Sequence, residues 1–308
     1  MTGREADGRT GTLLCLGLGY TARSLARRLS AAGWRIAGTA RSNTGAAAIT
    51  AEGWQGHVLR EDGAAAVRSP MLAAALSEAT HILVSVPPDG AGDPVLRALG
   101  PEIEQARQVA WIGYLSTVGV YGDHGGAWID ESTPPRDPGL RGERRLASES
   151  AWLELGARLG KRVAVFRLPG IYGPGRSAVD QLRAGTARRI VKPGQVFNRM
   201  HVDDIALALA AAMTTPTPHR IFNLCDDEPA PSEDVVAYAA ALLGLAPPPA
   251  IPFAEAQLSP MAASFYAQSK RVSNRRMKHE LGVRLVYPTY REGLAAIAEL
   301  EGPPPPAG

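Results

Sequence analysis

Along the first half of the chain, short unbroken apolar runs alternate with stretches whose apolar residues recur at helical spacing. Leu13, Leu14, Cys15 and Leu16 form the first run, as expected of a parallel strand covered on both faces. Ala22, Leu25, Ala26 and Leu29 follow at the spacing that gathers apolar side chains on one helix face. Arg35 to Ala40 reads as a second strand, His57 to Leu59 as a third, His81 to Val86 as a fourth and Val109 to Leu115 as a fifth. Asp93-Pro94 opens a helix that runs toward Arg107, with Asp at the N-cap and Pro at the first helical position. A helix through Glu143 to Leu159 and a strand at Val163 to Arg167 continue the series. This alternation predicts an α/β fold, a Rossmann-type doubly wound parallel sheet with its ligand at the carboxyl ends of the strands. Beyond Gly173 prolines and glycines multiply, helices at Asp203 to Met213, Ser232 to Leu243 and Ser273 to Leu281 dominate, and only short strands such as Ile221 to Leu224 remain. The reading is a dinucleotide-binding domain over 11–173 intimately joined to a smaller C-terminal substrate lobe over 174–302. A polar tail, 1–10, and a proline-rich tail, 303–308, flank them.

The turn between the first strand and the first helix carries the chemistry. Gly17 and Gly19 allow a sharp bend and keep Cβ atoms away from a pyrophosphate, and Ala22 is small enough for close packing of helix on strand. Backbone N–H groups near Tyr20, Thr21 and Ala22 lie at the positive end of the helix dipole, where a phosphate is stabilised. A glycine turn also occurs in strand-to-helix units that bind nothing; the flanking elements favour the nucleotide reading. At the end of the second strand, where a carboxylate would hold the ribose of NAD, the chain has Thr39, Ala40, Arg41 and Ser42. Arg41 can grip a 2′-phosphate through its planar fork with Ser42 or Asn43 adding donors, so NADP is the expected cofactor and NAD the alternative. A solvated surface charge is the other reading of Arg41. Asp62 either bonds the adenine amino group or sits in an exposed turn.

Composition narrows the partners. Lys plus Arg number 33 against 30 Asp plus Glu, a formal charge of +3 that is too small and scattered to argue for a nucleic-acid groove. Cys15 and Cys225 lie in apolar runs without metal-type spacing, so reduced buried thiols in a cytoplasmic protein are expected, with no metal site. No stretch approaches the roughly 18 apolar residues of a membrane span, and the first ten residues lack a hydrophobic signal core.

Taken in order, GLGYTA, LSTVGVYG (Leu115 to Gly122), RLPGIYGPG (Arg167 to Gly175), RMHVDDIA (Arg199 to Ala206), FNLCDDEP (Phe222 to Pro229) and SKRVSNRRM (Ser269 to Met277) resemble the extended branch of the short-chain dehydrogenase/reductase superfamily, its NAD-dependent epimerases and dehydratases. The resemblance spans nearly the whole chain. It implies that the segment Leu168 to Tyr172, with Pro169 and Gly170, approaches the nicotinamide. It also implies that the C-terminal lobe takes a small molecule such as a nucleotide sugar, and that helices flanking the sheet can form a homodimer.

Redox members of the family carry a Tyr-x-x-x-Lys pair, and here those positions are Arg141 and Arg145. A guanidinium stays protonated at any working pH, so Arg141 cannot exchange the proton that accompanies a hydride. Thr117 matches the family's Ser/Thr that polarises the substrate oxygen; the alternative is a strand-end hydroxyl satisfying local backbone. Val118 and Gly119 replace the Asp-Glu pair of the dehydratases. Tyr121, His124, Tyr172, His201 and Tyr266 are the other residues able to carry a proton. His124, in a glycine-rich loop, reads as the freest of them and His201 as a fold-fixing hydrogen-bond donor. Arg141 and Arg145, one helical turn apart, form either an anion clamp or a solvated helix face. Two functions follow: an NAD(P)-dependent oxidoreductase or epimerase acting on an anionic small molecule, or a non-catalytic NADP(H)-binding sensor.

Overall fold

The computed structural model describes residues 10–62 and 65–300, apart from the side chains of 61, 62, 65 and 66. The two tails expected at 1–10 and 303–308 lie outside the described residues except for Thr10. The chain forms two compact units whose segments interleave: the first takes the residues up to Ser116, Arg144–Val165 and Ala212–Pro216, and the second takes Thr117–Glu143, Phe166–Ala211 and the residues from Thr217 on.

In the first unit the predicted alternation is realised as β1 (Thr12–Leu16), α1 (Tyr20–Ala31), β2 (Arg35–Ala40), α2 (Asn43–Ala51), β3 (Gln55–Asp62), β4 (Ala65–Arg68), α3 (Leu72–Glu78), β5 (His81–Val84), α4 (Pro94–Gln105), β6 (Trp111–Thr117) and the main part of α5 (Gly139–Leu159). The eight-stranded sheet runs in the order Ile221–Asn223, Arg162–Leu168, β6, β5, β1, β2, β3, β4. β1 is parallel to both of its neighbours, with Cys15 opposite Gly38 on one side and Leu83 on the other. All five of its residues are buried, which explains the unbroken apolar run. The chain winds outward from β1 in one direction through β2 and β3 and in the other through β5 and β6, so the order reverses at β1 and a crevice opens at its carboxyl end.

The helices cover this sheet for local reasons. α1 buries Thr21, Ala22, Leu25, Ala26 and Leu29, the stripe read from the sequence. α2 lies on β3 because position 56 is glycine: a Cβ there would stand 2.0 Å from the Ala46 carbonyl oxygen. α4 is capped by Asp93, whose carboxylate accepts from the N–H groups of Val95 and Leu96. The third strand is longer than expected and carries an antiparallel edge partner, β4, that the weakly apolar AAVR stretch does not announce.

The second unit is built from short pieces. Gly170–Tyr172 runs parallel to Arg199–His201, and Trp128–Ile129 runs parallel to Arg271–Val272. Helices Ser232–Leu242 and Tyr290–Leu300 enclose a core that includes Tyr172, Val179, Ala239, Leu294 and Ile297. The carboxylate of Asp204, fully buried, accepts from the backbone N–H groups of Val286 and Tyr287 at 2.7 and 2.9 Å. No helix among the described residues is long and apolar enough to cross a membrane. Cys15 and Cys225 are free, buried thiols, and burial pushes both well above the ordinary thiol range.

Candidate functional site

Gly17 adopts φ +90°, a backbone conformation that favours glycine, and a Cβ on it would approach Ser85 Oγ to 2.7 Å. The bend is held from both sides. The Gly17 N–H donates to Thr39 Oγ1 at 2.8 Å, the Leu18 N–H donates to the Thr39 carbonyl at 2.9 Å, and the Ser85 hydroxyl donates to the Gly17 carbonyl. Gly19 is the N-cap of α1 and provides no side-chain cap, so the helix start lacks the acceptor that Ser or Asp would offer. A Cβ at Gly19 would meet nothing within 4 Å. Thr21 and Ala22 are buried beneath this turn and fix the helix against the sheet.

The turn forms one wall of a cavity of about 700 Å³, whose other residues include Thr39, Arg41, Ser85, Pro87 and Pro94. A dinucleotide fits this setting: the backbone is exposed where a pyrophosphate would lie, and a cation stands at the end of β2. Arg41 is exposed and makes no ion pair among the described residues. The Ser42 hydroxyl accepts from the Gly45 N–H at 3.1 Å, making it the N-cap of α2 while leaving its own proton to donate. Asp62 is the last residue of β3, and its side chain lies outside the described residues. Ser85 and the hydroxyl of Thr39 were not singled out from the sequence; the usable signal is a hydroxyl residue at or just past the end of a buried strand.

The residues expected to do chemistry are distributed differently. Thr117 ends β6, and its Oγ1 accepts from the Gly119 N–H at 3.0 Å, capping the turn Val118–Tyr121. Pro169 precedes the strand Gly170–Tyr172, where the Gly170 N–H donates to the Asn198 carbonyl at 3.1 Å. Arg141 is exposed near the start of α5. Arg145 is half-buried, and its Nη1 donates to the Tyr114 hydroxyl and to the Leu115 carbonyl, so it braces α5 against β6. One turn further along α5, the buried carboxylate of Glu149 accepts from the buried Ser116 hydroxyl.

Two expectations about histidine are corrected. His124 is not free: it is buried, and its Nε2 donates to the Tyr121 carbonyl at 3.1 Å, because the glycine loop folds its one large polar ring inward. His201 fixes the fold as an acceptor rather than a donor, since its Nδ1 takes the Asp203 N–H at 3.2 Å and the proton of the neutral ring falls on Nε2. Burial lowers its pKa, and the rings of Tyr172 and Tyr287 pack against it. The tyrosine hydroxyls are also engaged: Tyr121 donates to Asn223 Oδ1 at 2.8 Å, Tyr172 donates to the Thr289 carbonyl, and Tyr266 shares a hydrogen bond with Ser232. Burial raises Tyr121 and Tyr172 above the usual phenol range.

No family model matches the chain. It is 31% identical over 240 residues to Protein YeeZ of Escherichia coli K12, covering 76% of this chain and 84% of that protein. Among solved structures, a conserved protein of unknown function from Silicibacter pomeroyi is 52% identical, with a TM-score of 0.82 over 94% of this chain and 98% of that one. A Methylobacillus flagellatus protein described as an NAD-dependent epimerase/dehydratase is 25% identical, with a TM-score of 0.68 over 95% and 98% of the two chains. More distant structures share the fold, among them MoeE5 with UDP-glucose and NAD, at 21% identity, and human SDR39U1 with NADPH, at 18%.

Proposed function

Because the chain belongs to the NAD-dependent epimerase/dehydratase family of extended short-chain dehydrogenases/reductases and is an NAD(P)-dependent oxidoreductase/epimerase-like enzyme, we propose that it uses NADP(H) on an anionic, nucleotide-sugar-like small molecule. The observation that carries this reading is the open side of Gly19: nothing stands within 4 Å of its Cβ direction, and the same cavity is lined by Arg41, which makes no ion pair among the described residues. A nicotinamide dinucleotide supplies a hydride donor or acceptor when bound. Gly17, Gly19, Tyr20, Thr21 and Ala22 would hold its pyrophosphate through backbone N–H groups. Arg41 and Ser42 would donate to a 2′-phosphate, and Asp62 would accept from an adenine amino group. NADP is favoured over NAD by the absence of a carboxylate at the end of β2, although MoeE5 is complexed with NAD and only SDR39U1 of these two with NADPH.

Toward the substrate, Thr117 has the clearest role. Its oxygen accepts from the Gly119 N–H, which leaves the hydroxyl proton to donate to a substrate oxygen. Arg141, exposed and permanently charged, would hold the substrate's anionic group. Arg145 has spent one nitrogen on Tyr114 and Leu115, so it positions α5 and retains its remaining donors for the same anion. The segment Pro169–Gly170 would face the nicotinamide.

Calorimetry with NADPH and NADH tests the cofactor, and NADPH consumption with a panel of sugar nucleotides and simple carbonyl compounds tests the reaction. NADPH is expected to bind more tightly than NADH, with turnover on an anionic member of the panel. Binding without turnover across the panel would return the protein to the sensor reading.

A further inference from the structure

The second unit contains a cavity of about 630 Å³ that shares no residue with the glycine-turn cavity. Its lining includes Trp128, Asp130, Thr133, Asp226, Asn274 and Arg275. The Trp128 indole is 62% exposed, although it sits in a paired strand. Asp226 lies at the other extreme: it is 2% exposed, and its Oδ2 has no hydrogen-bond partner. A buried carboxylate oxygen without a donor is uncommon enough to require an account.

The charges around the cavity restrict what it can hold. Asp227 is already compensated by Lys278 and by the Asn274 amide, and Asp130 by the hydroxyls of Ser132 and Thr133. Arg275 makes no ion pair among the described residues. An anion would face the Asp130 and Asp227 carboxylates, and a cation would face Arg275. The described residues include no group of three or more His, Cys, Asp or Glu able to hold a metal ion. What matches the lining is a neutral ligand that both donates and accepts hydrogen bonds along one edge and presents an apolar face to an indole.

We propose that this cavity is a second binding site and that it takes a neutral pyranose sugar. The C–H face of the ring would lie on Trp128, and its hydroxyls would be read by the Asp226 carboxyl, the Asn274 Oδ1 and the Arg275 guanidinium. An aromatic face stacked on sugar C–H groups, with carboxylate and amide acceptors at the edge, satisfies both halves of such a ligand. The Asp226 carboxyl suits a neutral partner, since burial pushes it up to about 8 and keeps it uncharged at neutral pH, able to donate as well as accept.

The test is a titration of the full chain with D-glucose, D-galactose, N-acetyl-D-glucosamine and maltose, read by tryptophan fluorescence and by saturation-transfer NMR. A saturable response to at least one sugar is expected. Trp128→Ala should abolish it without changing NADPH affinity, because Trp128 is exposed and does not line the glycine-turn cavity. Arg275→Ala, at an exposed position with no ion pair among the described residues, should weaken it roughly tenfold, the effect of losing one well-placed hydrogen bond. No saturable response to any of the four sugars, or full binding retained by Trp128→Ala, would overturn the proposal. Saturation by spermidine in place of the sugars would overturn it as well, by showing a cation site.

Discussion

Nη1 of Arg145 donates to the Tyr114 hydroxyl at 3.1 Å, and the same guanidinium lies over the Tyr114 ring, 5.6 Å from its centroid. In redox relatives the equivalent position is the lysine of the proton relay; here it holds a helix to a strand, with a further bond to the Leu115 carbonyl at 3.0 Å. Burial raises the Tyr114 phenol, so it remains a neutral acceptor for the guanidinium. Arg145→Ala is expected to destabilise the protein by about 1–3 kcal/mol, the range for orphaning a buried partner. Arg141→Ala, at an exposed position, should stay within about 0.5 kcal/mol. Urea midpoints measure both, and equal values would remove the brace from the account.

The two glycines of the turn should separate stability from binding. Gly17→Ala places a Cβ 2.7 Å from Ser85 Oγ at a φ of +90°, so a loss of about 1–2 kcal/mol is expected from the backbone conformation alone. Gly19→Val meets nothing within 4 Å, and Gly19 has an ordinary φ of −89°. Its melting temperature should match the parent while NADPH binding disappears. Retained NADPH affinity in Gly19→Val would show that the pyrophosphate lies elsewhere.

Cofactor preference should turn on one side chain. Arg41→Asp replaces a cation at the end of β2 with a carboxylate that repels a 2′-phosphate and accepts from ribose hydroxyls. The ratio of NADPH to NADH affinity is expected to fall by at least about tenfold, a change of about 1.4 kcal/mol. An unchanged ratio would return Arg41 to the role of a solvated surface charge.

Asp226 should make stability depend on pH in a defined direction. Its folded pKa, about 8, exceeds its ordinary value of 3.8 because burial disfavours the charged form. The unfolded chain therefore releases this proton first, and stability falls as pH rises from the ordinary carboxylate range until about 8, where the loss is complete. Asp226→Asn keeps the acceptor for the Glu228 N–H and removes the ionisation. It should raise the melting temperature at pH 8 and leave it unchanged below pH 4. Thermal unfolding across that range checks the claim, and a constant difference at every pH would contradict it.

Much of the first unit was legible because its signals are local. The run Leu13–Leu16, the stripe Ala22–Leu29 and the Asp93-Pro94 start each depend on neighbours within a few residues. The edge strand β4 escaped because AAVR has no alternation strong enough to mark it. Arg145 was read as one half of a clamp because the sequence does not show that Tyr114, thirty-one residues away, waits beneath it. The cavity around Trp128 and Asp226 was invisible for the same reason, since its residues come from three separated stretches.

Residue order alone determined the alternation of strands and helices, the glycine turn between Leu16 and Ala22, and the missing phenol and amine on α5. Those properties follow from periodicity, steric size and fixed charge, which neighbouring residues settle among themselves. Only the tertiary structure decided which polar groups are spent and which are left over among the described residues: His124 turned inward, Arg145 engaged, Arg41 without an ion pair, and one oxygen of Asp226 buried without a donor. Whether a side chain is buried, and what stands within hydrogen-bond reach of it, depends on segments far apart in the chain, and folding is what brings them together.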